Sequence, residues 1–293
     1  MKICQNLSQE ACQEMLSIYN SCFEHIQTTE KIFIERLALH RGAQVVLAQK
    51  DFSISGFCVV YQDVLLMLCV REELRGQGIG SQLLAEAENL IQKAGWKKIV
   101  LGSKSGTYLT PGVPMDSKSN ASAWFEKRGY CYQWTSYDMM VDFSETDYFH
   151  FEPIEGFLIR SRHQDNASEI FSSAACAENT VQGWGEFYLS ADRSAAIAIE
   201  LSSGKIAGVI LLDTNSGCLY DKSLPKMGSF SCIAVPKEFR HHGVGRALCC
   251  FAMQRMQKAG LRGCFIGYTY LEDWYGKIGA KKQTEYWMGE KRM

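Results

Sequence analysis

An excess of charge of either sign is missing from this chain. Its 31 Lys and Arg stand against 32 Asp and Glu over 293 residues, a formal net charge of -1. Nucleic acid or an anionic membrane surface calls for a strong basic excess, so neither is expected as a partner. Long apolar runs are missing too. VLLMLCV at 64–70 is the longest obvious one, far too short to span a bilayer, and MKICQNLSQE at the start has no signal-peptide apolar core. The 12 cysteines contain no CxxC, and Cys249-Cys250 is the only close pair. Disulfide frameworks belong to short secreted chains, so reduced thiols in a cytoplasmic protein are expected. No pair of cysteines or histidines has zinc-ligand spacing, so no metal is expected.

What the chain does have is an echo of itself. REELRGQGIG at 71–80 returns as PKEFRHHGVG at 236–245, and aligning 70–95 with 235–260 gives 11 identities in 26 positions. The offset of 165 residues is too long for a solenoid and fits two copies of one domain of ordinary size. Residues 1–145 and 157–293 are read as the two domains, with the irregular stretch around FSETDYFHFEPIEG giving a linker at 146–156.

Each copy carries the same string of elements. In the first, AQVVLAQ, FCVVY and VLLMLCV read as strands, the last apolar on both faces and therefore central and buried. Leu83, Leu84, Ala87, Leu90, Ile91 and Ala94 then form one helical stripe, closed by Gly95 and followed by the strand KKIVLGS. In the second, AAIAIEL, IAGVILLD and FSCIAV precede a helix from about Val244 to Ala259, then CFIGYT. Segments near 8–25 and 165–177 read as helices that cover the sheet. The predicted class is α/β (α+β): two domains, each a twisted mixed sheet flanked by helices.

Between the central strand and the helix lies a glycine loop, Gly76-Gln77-Gly78-Ile79-Gly80-Ser81 in one copy and His241-His242-Gly243-Val244-Gly245-Arg246 in the other. Glycine here lets a phosphate approach the backbone, and the helix N-terminus offers N–H groups and partial positive charge. Both lack the Gly-Lys-Ser/Thr of a nucleoside-triphosphate loop. Three strands precede each, unlike a dinucleotide fold, where the loop follows the first. Val70-x4-Arg75-x-x-Gly78-x-Gly80 and Val235-x4-Arg240-x-x-Gly243-x-Gly245 resemble motif A of the GNAT superfamily of N-acetyltransferases, and the chain resembles a tandem GNAT protein. The resemblance implies acetyl-CoA as donor. Its pyrophosphate would lie on the two loops, and its pantetheine arm along the strand ends that contain Leu68 and Val70, or Ile233 and Val235. A backbone N–H there would polarise the thioester, and a tyrosine would protonate the departing thiolate.

The copies differ where that tyrosine is expected. WYGKIGA offers Tyr275 four residues before Gly279; WFEKRGY offers Phe125 four residues before Gly129, without a hydroxyl. The second copy is therefore the expected seat of catalysis, with Glu200 a candidate base acting through water and Asp273 and Trp274 candidate acceptor contacts. The first copy is 15 residues longer between its loop and this helix, around SGTYLTPGVPMDSKS, where Tyr108 and Asp116 are candidate acceptor contacts. The expected activity is acetyl transfer to a small-molecule amine. The rivals are a non-catalytic acyl-CoA-binding sensor and a protein-lysine acetyltransferase.

Overall fold

A computed structural model of the chain describes residues 1–293 apart from 5–6, 40–41, 52, 104–109, 116–119, 146–149, 191–193 and 215–225. The first copy runs β1 (Lys2–Cys4), α1 (Gln9–Cys22), α2 (Glu30–Leu39), β2 (Gln44–Lys50), β3 (Ser53–Tyr61), β4 (Val64–Val70), α3 (Ile79–Lys93), β5 (Lys98–Leu101), β6 (Val113–Pro114), α4 (Ala121–Glu126) and β7 (Cys131–Asp142). The second runs β8 (Phe157–Ser161), α5 (Ala167–Thr180), α6 (Gly185–Tyr188), β9 (Ser194–Glu200), β10 (Ile206–Asp213), β11 (Met227–Ala234), α7 (Val244–Lys258), β12 (Gly263–Thr269), α8 (Glu272–Gly276) and β13 (Lys281–Arg292).

Local chemistry explains the boundaries. Ser8 and Asn166 cap α1 and α5 by accepting from Ala11 N and Glu169 N. Gly95 and Gly260, at φ +87° and +79°, turn the chain out of α3 and α7 through the left-handed region that other residues avoid. One face of the sheet packs on α3 through Leu83, Leu84, Ala87 and Ile91, and on α7 through Ala247, Leu248, Ala252 and Met256. The other face is covered by α1 and α2 in the first copy and by α5 and α6 in the second.

All strands join one continuous sheet, ordered β1-β2-β3-β4-β5-β13-β7-β12-β11-β10-β9-β8, with β6 also on β13. Among the described residues only β4–β5 and β11–β12 pair in parallel. Pairing crosses the 146–156 connection: β7, encoded before it, pairs with β12, and β13 pairs with β5. The last strand of each copy thus sits in the sheet of the other, and the two exchanged strands pair with each other from Lys281↔Met140 to Glu290↔Cys131.

The copies also differ beside these strands. β12 runs along β7 with a bulge at Gly267–Tyr268, between Ile266↔Met139 and Thr269↔Tyr137. In the first copy β5 and β6 share the equivalent track along β13, separated by an insertion from 102 to 112. Its described ends, 102–103 and 110–112, are tightly seated. A Cβ on Gly102 would meet Pro111 O, and one on Gly112 would meet Met288 Sδ at 2.5 Å. The extra length expected to reach a ligand is therefore, over Thr110–Val113, buried against the sheet.

Candidate active site

In both copies the parallel pairing stops partway. Past Leu65↔Leu101 and past Ser229↔Phe265 the parallel pairing ends, so the backbone of Leu66–Val70 or Phe230–Ala234 is unpaired on that side among the described residues and bounds the candidate cleft. Each central strand also carries an irregularity at this level. In β4 the extra residue is Leu66, between Leu65 and Met67; in β11 it falls between Ser231 and Ala234, with Cys232 at φ +49°. Such a bulge re-aims backbone groups out of the ladder. Tyr188, buried on α6, fastens the second one by donating from its hydroxyl to Cys232 O at 2.5 Å.

At the mouth of each cleft the glycine loop enters a helix. Gly78 and Gly243 are the N-cap residues of α3 and α7, both left-handed (φ +84° and +82°) and neither with a side-chain cap. The first-turn N–H groups of both helices thus have no capping side chain, which suits an anion. Gly80 and Gly245 lie between the strand end and a tryptophan. A Cβ on Gly80 would be 3.6 Å from Trp124 and 3.7 Å from Val70; on Gly245 the same contacts are 3.3 Å to Trp274 and 3.7 Å to Val235. Leu68, Ile233 and Val235 are half-buried along the cleft, and Val70 is buried. This geometry fits the diphosphate and extended arm of a CoA thioester.

The motif arginines fasten the loops. Arg75 Nε donates to Val70 O at 3.3 Å and Arg240 Nε to Val235 O at 3.0 Å. Arg75 also meets Cys22, whose thiol is lowered to about 6, chiefly by a hydrogen bond from Cys69 and then by the guanidinium. His241 takes the left-handed position (φ +67°) that Gly76 occupies in the first copy at φ +78°, while His242 packs near Phe157. Gln77 donates to Glu73 O. Ile79 is half-buried, Val244 buried, and Gly76, Ser81 and Arg246 are exposed. Arg128, which the sequence did not point to, stacks on Trp124 at 3.7 Å and donates to Ser81 Oγ at 2.9 Å. It brings a cation to the first helix start, where Arg246 stands on the second.

Beyond the loops lie the paired aromatics of α4 and α8. Trp124 meets Phe125 edge-on at 4.9 Å and 88°, and Trp274 meets Tyr275 at 4.8 Å and 86°. Tyr275 is 5% exposed, 6.0 Å from Phe230 in the central strand, and burial raises its phenol well above the usual range. Trp274 lies over the start of α7 at Gly245, and Asp273 is exposed beside it. The first copy's nearby hydroxyl, Tyr130, turns away and donates to Glu88 at 3.1 Å. Glu200 is not brought to either cleft. It closes β9 three strands from β12, accepting from Ser203 in the following turn. Tyr108 and Asp116 lie outside the described residues.

Residues 41–131 match the family model for an acetyltransferase (GNAT) domain. No curated protein matches the chain in sequence. Among solved structures, the chain is similar in fold to a fungal multi-domain GH3 β-N-acetylglucosaminidase with a GCN5-related glucosamine N-acetyltransferase region. There the TM-score is 0.86 at 19% identity, over 99% of this chain and 38% of that one. It is also similar to a tandem GNAT protein from the clavulanic acid biosynthesis pathway (TM-score 0.73, 13% identity, 99% and 98% covered) and to a GCN5-related N-acetyltransferase from Sphaerobacter thermophilus (0.70, 16%, 98% and 94%).

Proposed function

We propose that this chain, whose residues 41–131 match a GNAT acetyltransferase domain and whose length shares the fold of a tandem GNAT protein, is an acetyl-CoA-dependent N-acetyltransferase for the primary amine of a small molecule, with its chemistry in the second copy. The observation that carries this reading is Tyr275, a phenol beside the β11–β12 cleft where the first copy has Phe125.

Acetyl-CoA, when bound, supplies the activated acyl group as a thioester. The chain's part is to hold and polarise it. The uncapped first turn of α7 suits the diphosphate, and the bulge at Cys232 suits an amide aimed at the thioester oxygen. Tyr275 keeps its proton at neutral pH because burial disfavours the phenolate, so it has one to give when a thiolate departs. In the first copy there is no phenol at this position, and the insertion at Pro111–Gly112 packs against Gly102 and Met288. That copy keeps a donor loop, which supports binding of CoA without turnover.

For the acceptor, an amino sugar is the first choice. The fungal neighbour's described region acts on glucosamine, and Trp134, Tyr268 and Tyr270 form an aromatic group at the end of β12, with ring centroids 5.6 and 6.2 Å from Trp134. Ring faces of this kind pack against the apolar face of a sugar. The test is a panel of small amines, glucosamine included, assayed for released CoA thiol. Turnover with a small amine is expected. CoA binding without release from any amine would make the chain an acyl-CoA-binding protein, and release with peptides alone would make it a lysine acetyltransferase.

A further inference from the structure

We propose that Asp138 binds the acceptor's ammonium and takes its proton, so that the second copy's active site is completed by a strand encoded in the first. This rests on the reading of the second copy as an amine acetyltransferase. Asp138 stands on β7, the exchanged strand, beside β12, which bounds the cleft. It is 2% exposed, and no cation is paired with it among the described residues. Oδ2 accepts from Tyr286 Oη at 2.7 Å and Oδ1 from the Tyr268 N–H at 3.0 Å. A carboxylate accepts about four hydrogen bonds, so these two leave capacity for a cation. Burying a carboxylate without one is costly.

The fold goes out of its way to build this site. Tyr268 is held at φ +58°, a strained conformation for an aromatic residue, and its amide thereby reaches Asp138. Gly267, just before it, is exposed, and a Cβ there would come 3.3 Å from Asp138 Oδ1. Such a Cβ would also come 2.8 Å from the Phe265 ring, so glycine is needed here for space as well as for an approach to Oδ1. The aromatic group of Trp134, Tyr268 and Tyr270 stands alongside, so a cation carried on a compact body meets charge and ring faces together.

The first copy makes the comparison. Val113↔Trp287 occupies the register of Thr269↔Tyr137, which puts Met288 at the place of Asp138. Gly112 of the insertion then lies on Met288 where the Tyr268 amide lies on Asp138. The copy without the phenol is also the copy without the carboxylate.

In the step, the ammonium gives one proton to Asp138 and becomes a free amine. Its nitrogen bonds to the acyl carbon, the C–S bond breaks, and the sulfur takes the proton of Tyr275. The nitrogen's remaining extra proton leaves to solvent, Tyr275 is refilled from solvent and Asp138 discharges there. One proton is released per ammonium acetylated. Burial raises the Asp138 carboxyl to about 6, against the opposing pull of Tyr286 and the Tyr268 amide. The titratable groups facing it are Tyr286 of β13 and Tyr268 of β12, both phenols; Tyr286 itself packs on Ile26 and Phe23.

The experiment takes the full chain with glucosamine and acetyl-CoA, and follows kcat/KM against pH for wild type, Asp138→Asn and Gly267→Ala, with thermal melting to confirm folding. Wild type should fall below about pH 6, where Asp138 protonates. Asp138→Asn should lose about 10²–10⁴-fold at pH 7, a deficit that shrinks as pH approaches the amine's own pKa and free amine becomes abundant. Gly267→Ala should raise the KM for amine and leave CoA affinity unchanged. A loss in Asp138→Asn that is uniform with pH, or none, overturns the proposal and leaves the acetyltransferase reading standing. The carboxyl ¹³C resonance of Asp138 in wild type is a separate readout. If it shifts on adding glucosamine to a chain that shows no turnover, amine binding stands and the acetyltransferase reading falls; if it does not shift, the proposal falls.

Discussion

One oxygen atom separates Tyr275 from Phe125, and the immediate neighbours of the two rings match: a tryptophan edge-on to the ring, a glycine beneath that tryptophan, a strand end beside the glycine. The difference isolates what the hydroxyl does. Loss of a general acid costs about 10²–10⁴-fold in rate, and a thiolate is a tolerable leaving group, so the lower end applies. Tyr275→Phe should lower kcat about 10²-fold with CoA affinity unchanged. Phe125→Tyr should add no turnover, because Met288 stands where the second copy has the Asp138 carboxylate. Steady-state rates for both variants decide it; full kcat in Tyr275→Phe would move the chemistry elsewhere. Tyr275 was legible in the sequence because four residues separate it from Gly279 as in the other copy. Asp138 was not, since nothing in SYDMMVD sets it apart from Asp142, and the contact that distinguishes it comes from β12, 130 residues away. The base sought on β9, Glu200, ends that strand away from the cleft for the complementary reason: strand alternation gave its face and not its distance from the cleft.

At the scale of elements, the glycine loops and helices were readable because their signals are local and occur twice. Apolar spacing fixed α3 and α7, and a buried run fixed β4. The insertion was visible only as extra length. The seating of Pro111 and Gly112 against Gly102 and Met288 depends on an exchanged strand that no local pattern announces. Arg128 was hidden likewise, since it meets Ser81 only across the fold. The loops themselves make a prediction. A Cβ on Gly78 would meet no atom within 4 Å, and one on Gly243 only Ile154 at 3.8 Å, so crowding is not the obstacle; the obstacle is φ. An L-residue held left-handed costs roughly 1–2 kcal/mol. If the loop sheds that strain by turning its amides, CoA binding at that loop weakens by roughly tenfold, since 1.4 kcal/mol is a factor of ten. Calorimetry should find two CoA sites in wild type, with one weakened in Gly78→Ala and the other in Gly243→Ala. Two unchanged sites in both variants would exclude the loops as the phosphate cradle.

At the scale of the whole molecule the question is whether each copy is a folding unit. The sheet says that neither is complete alone. β13 fills the place beside β5 and β6 in the first copy, and β7 fills the place beside β12 in the second. This is the geometry of an exchanged-strand dimer whose two protomers have been joined into one chain. Residues 1–145 alone would leave β5 and β7 without the strand that lies between them, uncovering the buried Ile99, Leu101 and Phe125 along one edge and open backbone groups along the other. Deleting 281–293 from the full chain removes the same strand, and with it the Tyr286 hydroxyl that meets Asp138. The deletion should therefore abolish cooperative unfolding of the whole chain and not merely trim the second copy. Cutting the connection should do far less, because the exchanged strands hold the halves through backbone hydrogen bonds and not through the linker. Fragments 1–145 and 157–293, co-expressed, should elute together on size exclusion and melt as one unit, while each expressed alone should aggregate or remain unfolded. A soluble, monomeric 1–145 fragment that melts cooperatively and binds CoA would show that the first copy closes its own sheet, and would remove the physical reason for Asp138 to serve the other copy's site.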